Sequence, residues 1–144
     1  MLKQGSVGQI RRGELTRKDG YLVIAMRFYP RGLRKDLRDE YQGSLAPDLA
    51  LFKDFKRWQL KMGHEQGFEK SNYDELFFLS LSALEELKRL AELSRRRDVY
   101  LVCQCEVGER CHREMLMLLA KKRFGAKIGS VSHDYSRTRI LCGK

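Results

Sequence analysis

The sequence predicts an α/β fold: a single small layered domain with a mainly parallel sheet flanked by helices. Three observations carry that reading. Tyr21 to Met26 and Asp98 to Cys103 are runs of strand length, almost entirely apolar, as expected for strands covered on both faces. The stretches after them place apolar residues at helical spacing, and strands alternating with helices point to a layered sheet. A length of 144 residues with 42% hydrophobic content supplies one real core.

Along the chain, Ser6 to Arg11 reads as a short strand and Glu14 to Gly20 as a turn into the strand Tyr21 to Met26. The basic loop Arg27 to Lys35 follows. Pro47 then precedes a helix whose Leu51, Phe55, Trp58 and Met62 share one stripe, closed by Gly63 and Gly67. From Asn72 to Arg95 a longer helical region carries Phe77, Leu81, Leu84 and Ala91 on one face, and the Ser82-x-x-Glu85 pair resembles a capping box that would split it. After the strand Asp98 to Cys103 come a turn at Glu106 to Glu109 and a helix from about Cys111 to Phe124 that buries Met115, Leu118 and Leu119. Lys127 to His133 reads as a further strand, and Tyr135 to Lys144 as a tail of ambiguous structure. Two Pro and twelve Gly leave no linker, so residues 1–144 are expected to form one domain.

With 29 Lys and Arg against 19 Asp and Glu, the net charge is 29 − 19 = +10, which favours anionic partners: an anionic small molecule or nucleotide, or nucleic acid. No apolar run approaches the ~20 residues of a bilayer span, and the stretch to Arg12 is unlike a secretory signal. A cytoplasmic protein with no membrane partner is therefore expected. Asn72 is the sole asparagine and 33% of residues are charged, a balance that leans towards a thermophile.

Chemistry concentrates in Cys103-Gln-Cys105-Glu106-x-Gly108-x-Arg110-Cys111-His112-Arg113, between a strand end and a helix start. Ligands of open α/β sheets bind outside the carboxyl ends of strands, and a helix start attracts anions and acidifies thiols. On this reasoning Cys111, beside His112, Arg110 and Arg113, is the candidate reactive thiol, with a pKa below that of Cys142 in the tail. Three readings compete. A cysteine-phosphatase loop needs a Cys-to-Arg spacing that falls between the four residues separating Cys105 from Arg110 and the six separating Cys103 from Arg110, so that motif fails. A Cys₃His metal set of Cys103, Cys105, Cys111 and His112 is disfavoured, because zinc pairs usually take roughly two to four intervening residues where Cys103 and Cys105 have one. Adjacent Cys111 and His112 would also strain a shared tetrahedron. The remaining reading is of small buried cysteines at a strand end with a solvated charged turn.

A second constellation, Arg27-Phe-Tyr-Pro30-Arg31-Gly32-Leu-Arg34-Lys35, also follows a strand. If the two strands run parallel, Arg27, Arg31, Lys35 and Arg113 converge on one mouth, where guanidinium groups suit phosphate or carboxylate. On its own this loop reads as a basic solvated turn. Phe52, Phe55 and Trp58 sit at core spacing and read as packing.

These residues also resemble the domain-of-unknown-function 488 family, including its YeaO-like relatives. The resemblance rests on Asp19-Gly20, Arg27-x-Tyr29-Pro30-Arg31-Gly32-Leu33-x-Lys35, Asp39-Glu40-Tyr41, Leu45-Ala46-Pro47, Leu101-Val102-Cys103 with Glu106, Cys111-His112-Arg113 and Val131-x-His133. The matches run in order from about Gly20 to His133. They imply a small α/β domain of unknown activity and raise Arg27, Arg31, Cys111, His112 and Arg113 as the residues of its polar motifs. Two positions depart from the family pattern: Met26 stands where an acidic residue often precedes the first Arg, and Tyr29 where Trp is usual.

Two function classes follow, beside a third reading of the cysteines as a small structural metal or disulfide site. In the first, Arg27, Arg31, Lys35 and Arg113 bind an anionic small molecule or nucleotide, and Cys111 and His112 act as nucleophile or acid/base. In the second, the protein is a non-enzymatic nucleic-acid binder using a diffuse basic face. No motif names a cofactor or a reaction.

Overall fold

The structure, a computed structural model, describes residues 1–141; the expectation for Cys142 falls outside them. Four strands, β1 (Leu2–Ser6), β2 (Tyr21–Ile24), β3 (Glu40–Tyr41) and β4 (Val99–Cys103), form one sheet in the order β1-β4-β2-β3. Every pairing is parallel, as the sequence predicts. The central strand is β4, whose apolar residues need cover on both faces. Its register sets Ser6 opposite Cys103 on one side and Ile24 opposite Val102 on the other. The carboxyl ends of β1, β2 and β4 therefore lie side by side.

Alternation along the strands divides the core. Val23, Ala25, Val99 and Leu101 face the larger layer, which contains the helices α2 (Leu49–Met62), α3 (His64–Lys70), α4 (Tyr73–Leu76), α5 (Leu81–Leu93) and α6 (His112–Phe124). Leu22, Ile24 and Val102 face a smaller cluster with Val7 and Ile10 of α1 (Val7–Arg11). Cys103 continues the Val99, Leu101 alternation and so falls on the side of the larger layer.

Several local expectations are corrected. Residues 6–11 are not a strand: Ser6 accepts from the Gln9 amide while the Gln9 side chain accepts from the Ser6 amide, a capping box that starts α1. Gly67 does not close α2. It lies within α3, where a Cβ would come 3.1 Å from the backbone of Gln59, so its missing side chain lets α3 fold against α2. The break in residues 72–95 falls before Ser80, which caps α5, rather than at Ser82, and Leu81 is 84% exposed. Met62 is likewise exposed, so the packing stripe of α2 reduces to Leu51 and Phe55. Residues 127–133 make a lone bridge, Ile128 with Leu2, because farther on the Ser132 amide donates to the Glu114 carboxylate instead of to a strand.

Helix α6 starts where the sequence places it, with Cys111 as its N-cap, and Gly125 ends it in the left-handed region at φ 68°. It is far more buried than a surface helix: Leu116 and Met117 are enclosed as fully as Met115, and only Leu118 among its apolar residues before Phe124 is partly open. Among the described residues no helix is long and apolar enough to cross a membrane.

Candidate functional site

The site grows from the junction of β4 and α6. Cys103 ends β4, Cys111 caps α6 and His112 is its first residue, and all three are buried. The intervening loop is pinned from outside. His64 Nε2 donates to the Arg110 carbonyl at 2.6 Å, and the Arg110 guanidinium meets Asp74 at 3.2 Å and stacks over Tyr135. Tyr135 pins the helix start itself: its hydroxyl accepts from the Cys111 amide at 3.1 Å and donates to Glu114 at 2.7 Å. Burial and the Glu114 carboxylate both push the Tyr135 pKa up, so it remains a neutral phenol.

His112 Nε2 lies 2.6 Å from the carbonyl of Ala25, just past β2. A carbonyl only accepts, so Nε2 carries a proton and Nδ1 is turned to the thiols, 3.6 Å from Cys111 Sγ. Burial would lower the His112 pKa, but the neighbouring sulfurs of Cys111 and Cys103 act the other way and push it up to about 10. Hydrogen bonds from Cys105 and Cys111 hold the Cys103 thiol well below the ordinary thiol range, against the opposing effect of burial. Hydrogen bonds to Cys103 and Cys111 push the Cys105 thiol up, since it is left as a donor. The acidified thiol is thus at the strand end. All three cysteines are free.

Arg113 stands behind this cluster, fully buried. Its guanidinium donates to the carbonyls of Gly5 and Glu106, and no carboxylate pairs with it among the described residues. The thiols beside it act to raise its pKa, against the opposing effect of burial.

In front of the cluster opens a cavity of about 140 Å³, with Cys103, Cys105, Cys111 and His112 at its floor. Phe55, Phe68 and Tyr73 form the wall, with Phe55 edge to face on both of the others and its centroid 4.9 Å from that of Phe68. Met26, Arg27 and Phe28 from the loop after β2 meet Phe52 and Lys56 from α2 at the mouth. There the Phe28 and Phe52 rings lie 5.6 Å apart, with Arg27 over the first and Lys56 over the second.

Of the six residues singled out in the sequence, the structure brings Cys111, His112 and Arg27 together at this cavity. Arg31 and Lys35 stay exposed farther along the loop and do not line it, and the Arg31 carbonyl accepts from Arg11. Arg113 touches the cluster from the protein interior. Sequence reasoning passed over Lys56 and took Phe52 as packing, although their four-residue spacing puts both on one face of α2; it weighed Cys103 only as a disfavoured metal ligand or a buried strand-end residue. Met26 also lies at the mouth.

A second, more polar cleft of about 370 Å³ lies near Glu65, Asp74, Arg110 and Arg137. Its acids and bases pair with one another, and burial raises the Asp74 pKa despite Arg110. A family model named DUF488-N3a and described as the active DUF488-N3 subclade matches residues 8–123. No curated protein and no solved structure matches the chain.

Proposed function

The chain belongs to the DUF488 family, within the subclade described as active, and from that premise we propose that the cavity at the β4–α6 junction binds an anionic small molecule carrying a planar group, such as a nucleotide, and acts on the part that enters. The observation that carries this reading is the pairing of an aromatic mouth bearing two cations, Arg27 and Lys56, with a thiol and imidazole floor. A volume of about 140 Å³ is close to that of a cavity that holds one benzene. The planar fragment would therefore sit between the aromatic walls while the anionic remainder stays at the rim.

Each group has a role suited to its chemistry. Arg27 offers a planar fork to phosphate or carboxylate, and Lys56 adds a mobile second charge. The floor sets sulfur and nitrogen against the entering group, and the subclade's description as active favours a site that transforms its ligand over one that only holds it. Arg31 and Lys35 contribute at most to long-range attraction.

A thermal-shift screen of nucleotides and phosphorylated metabolites tests the proposal, because a ligand of the native state raises Tm by mass action. The expected result is a saturable rise with at least one nucleotide that Arg27→Ala and Lys56→Ala each reduce and Arg31→Ala leaves intact. Binding only to long DNA or RNA, steeply salt-dependent and indifferent to Arg27→Ala, would instead establish the non-enzymatic nucleic-acid reading.

A further inference from the structure

We propose that Cys103, Cys111 and His112 form a three-ligand zinc site whose fourth coordination position opens into the cavity. Sequence spacing argues against it, because adjacent Cys111 and His112 look too close to share a metal. The backbone removes that objection. Cys111 is extended at φ −156° and ψ 152°, while His112 begins the helix, so the chain changes direction between them and both side chains reach one point.

The distances suit the ion. With Zn–S about 2.3 Å and Zn–N about 2.0–2.1 Å, a tetrahedral centre holds sulfur and nitrogen about 3.6 Å apart. Cys111 Sγ and His112 Nδ1 are 3.6 Å apart. The Cys103 sulfur completes a set in which the three ligand atoms lie within 4.8 Å of one another, and two thiolates on one zinc need about 3.8 Å. The set closes by side-chain movements of less than an ångström or so.

The surroundings are those of a metal site rather than of three neighbours in a core. All three donors are buried. The Nε2 proton of His112 is fixed on the Ala25 carbonyl, the outer-shell bond that orients a ligating imidazole, and the ion takes the place of the proton on Nδ1. Cys105 lines the same cavity but stands outside the set of three. Two thiolates and a neutral imidazole leave one position of the tetrahedron free, as in zinc centres that bind a water or a ligand atom. Zinc there would place a cation under an anionic ligand, which deepens the proposed function, yet the assignment stands on the donor set alone.

The test uses the full chain, reduced and stripped with a chelator, then titrated with Zn²⁺ and separately with Co²⁺ as a spectroscopic stand-in. The expected result is one ion per chain, retained against a weak competing chelator. The cobalt form should show the intense visible bands of a tetrahedral site and a thiolate-to-metal band in the near ultraviolet. Cys103→Ser and Cys111→Ser should lose stoichiometric binding, whereas Cys105→Ser keeps both the ion and the visible bands. If either serine variant fails to fold, alkylation of the wild-type protein decides: zinc must protect Cys103 and Cys111 and leave Cys105 reactive. Absent stoichiometric binding, a pale six-coordinate cobalt spectrum or a Cys103–Cys111 disulfide in freshly purified protein would each overturn the site. Loss of the ion in Cys105→Ser would also overturn it, by making the centre closed. Metal content is read with the cavity empty, so failure of the nucleotide screen on metal-loaded and metal-free protein counts against the ligand reading alone.

Discussion

The segments after β2 and β4, the second running into the first turn of α6, leave neighbouring parallel strands at the same sheet edge and both carry arginines, but they use their cations in opposite ways. After β4, Arg113 is fully buried on two main-chain carbonyls and Arg110 is held by Asp74 and Glu65. After β2, Arg31, Arg34 and Lys35 are exposed, and Arg34 pairs with its neighbour Asp36. Of the cations in that loop, Arg27 is the one that lines the cavity. Residue type and loop position are the same in both places. Burial and main-chain partners separate a guanidinium that holds the fold together from one free to meet a ligand.

The largest effect expected from this contrast is at Arg113. Arg113→Met should lower unfolding free energy by about 3 kcal/mol or more, because two carbonyls lose charge-assisted bonds in a closed interior. Urea denaturation measures it, and a loss below about 1 kcal/mol would place Arg113 with the exposed cations.

Next comes Tyr135→Phe, which removes the hydroxyl linking Cys111 to Glu114. A cost of about 1–2 kcal/mol is expected, with faster alkylation of Cys111 in the native protein, since the helix start would open locally. Unchanged alkylation would mean that the loop after β4 is held by Arg110 and Arg113 without Tyr135.

A smaller effect tests an intermediate case, Glu40 at the β3 edge, bonded by Tyr21, Gln42 and Arg89. Burial acts to raise its pKa, but these bonds, Arg89 foremost, hold it below the usual carboxylate value. A carboxylate lowered in this way stabilises the fold fully above the unfolded pKa of about 4.3 and loses that contribution as pH falls through the folded value. Glu40→Gln should therefore cost under about 1 kcal/mol at neutral pH, because Arg89 is half exposed and screened. The difference from wild type should vanish in acid. A cost that persists below pH 3 would show packing, not charge, at work.

The smallest effect is expected in the loop after β2, where Arg31→Ala and Lys35→Ala should each change stability by within about 0.5 kcal/mol. A clear loss in either would erase the contrast between the loops.

Much of this architecture is legible along the chain. Tyr21 to Met26 and Asp98 to Cys103 declare parallel neighbours because both faces of each must be covered, and α6 begins at Cys111 as periodicity and position require. Misplaced elements trace to competing local chemistry: the Ser6–Gln9 capping box was hidden in what looked like a strand, and Ser82 looked like the cap that Ser80 provides. The polar motifs marked Cys111, His112 and Arg27 because they follow strand ends, where parallel sheets present their loops. They also marked Arg113, Arg31 and Lys35, since a motif carries no record of which way a side chain faces.

What the sequence by itself determined is therefore the two inner strands and their parallel run, the helix that follows β4, the family and the edge at which chemistry gathers. Each depends on residues a few positions apart, on alternation, on helical spacing and on strand ends. Only the tertiary structure decided that Arg113 is enclosed, that Phe52 and Lys56 of α2 come to the mouth beside Arg27, and that Cys103 meets Cys111 and His112 across eight residues of loop. Those contacts join segments far apart in the chain, and their geometry comes from how a helical layer packs on one face of a twisted sheet, which no local pattern encodes.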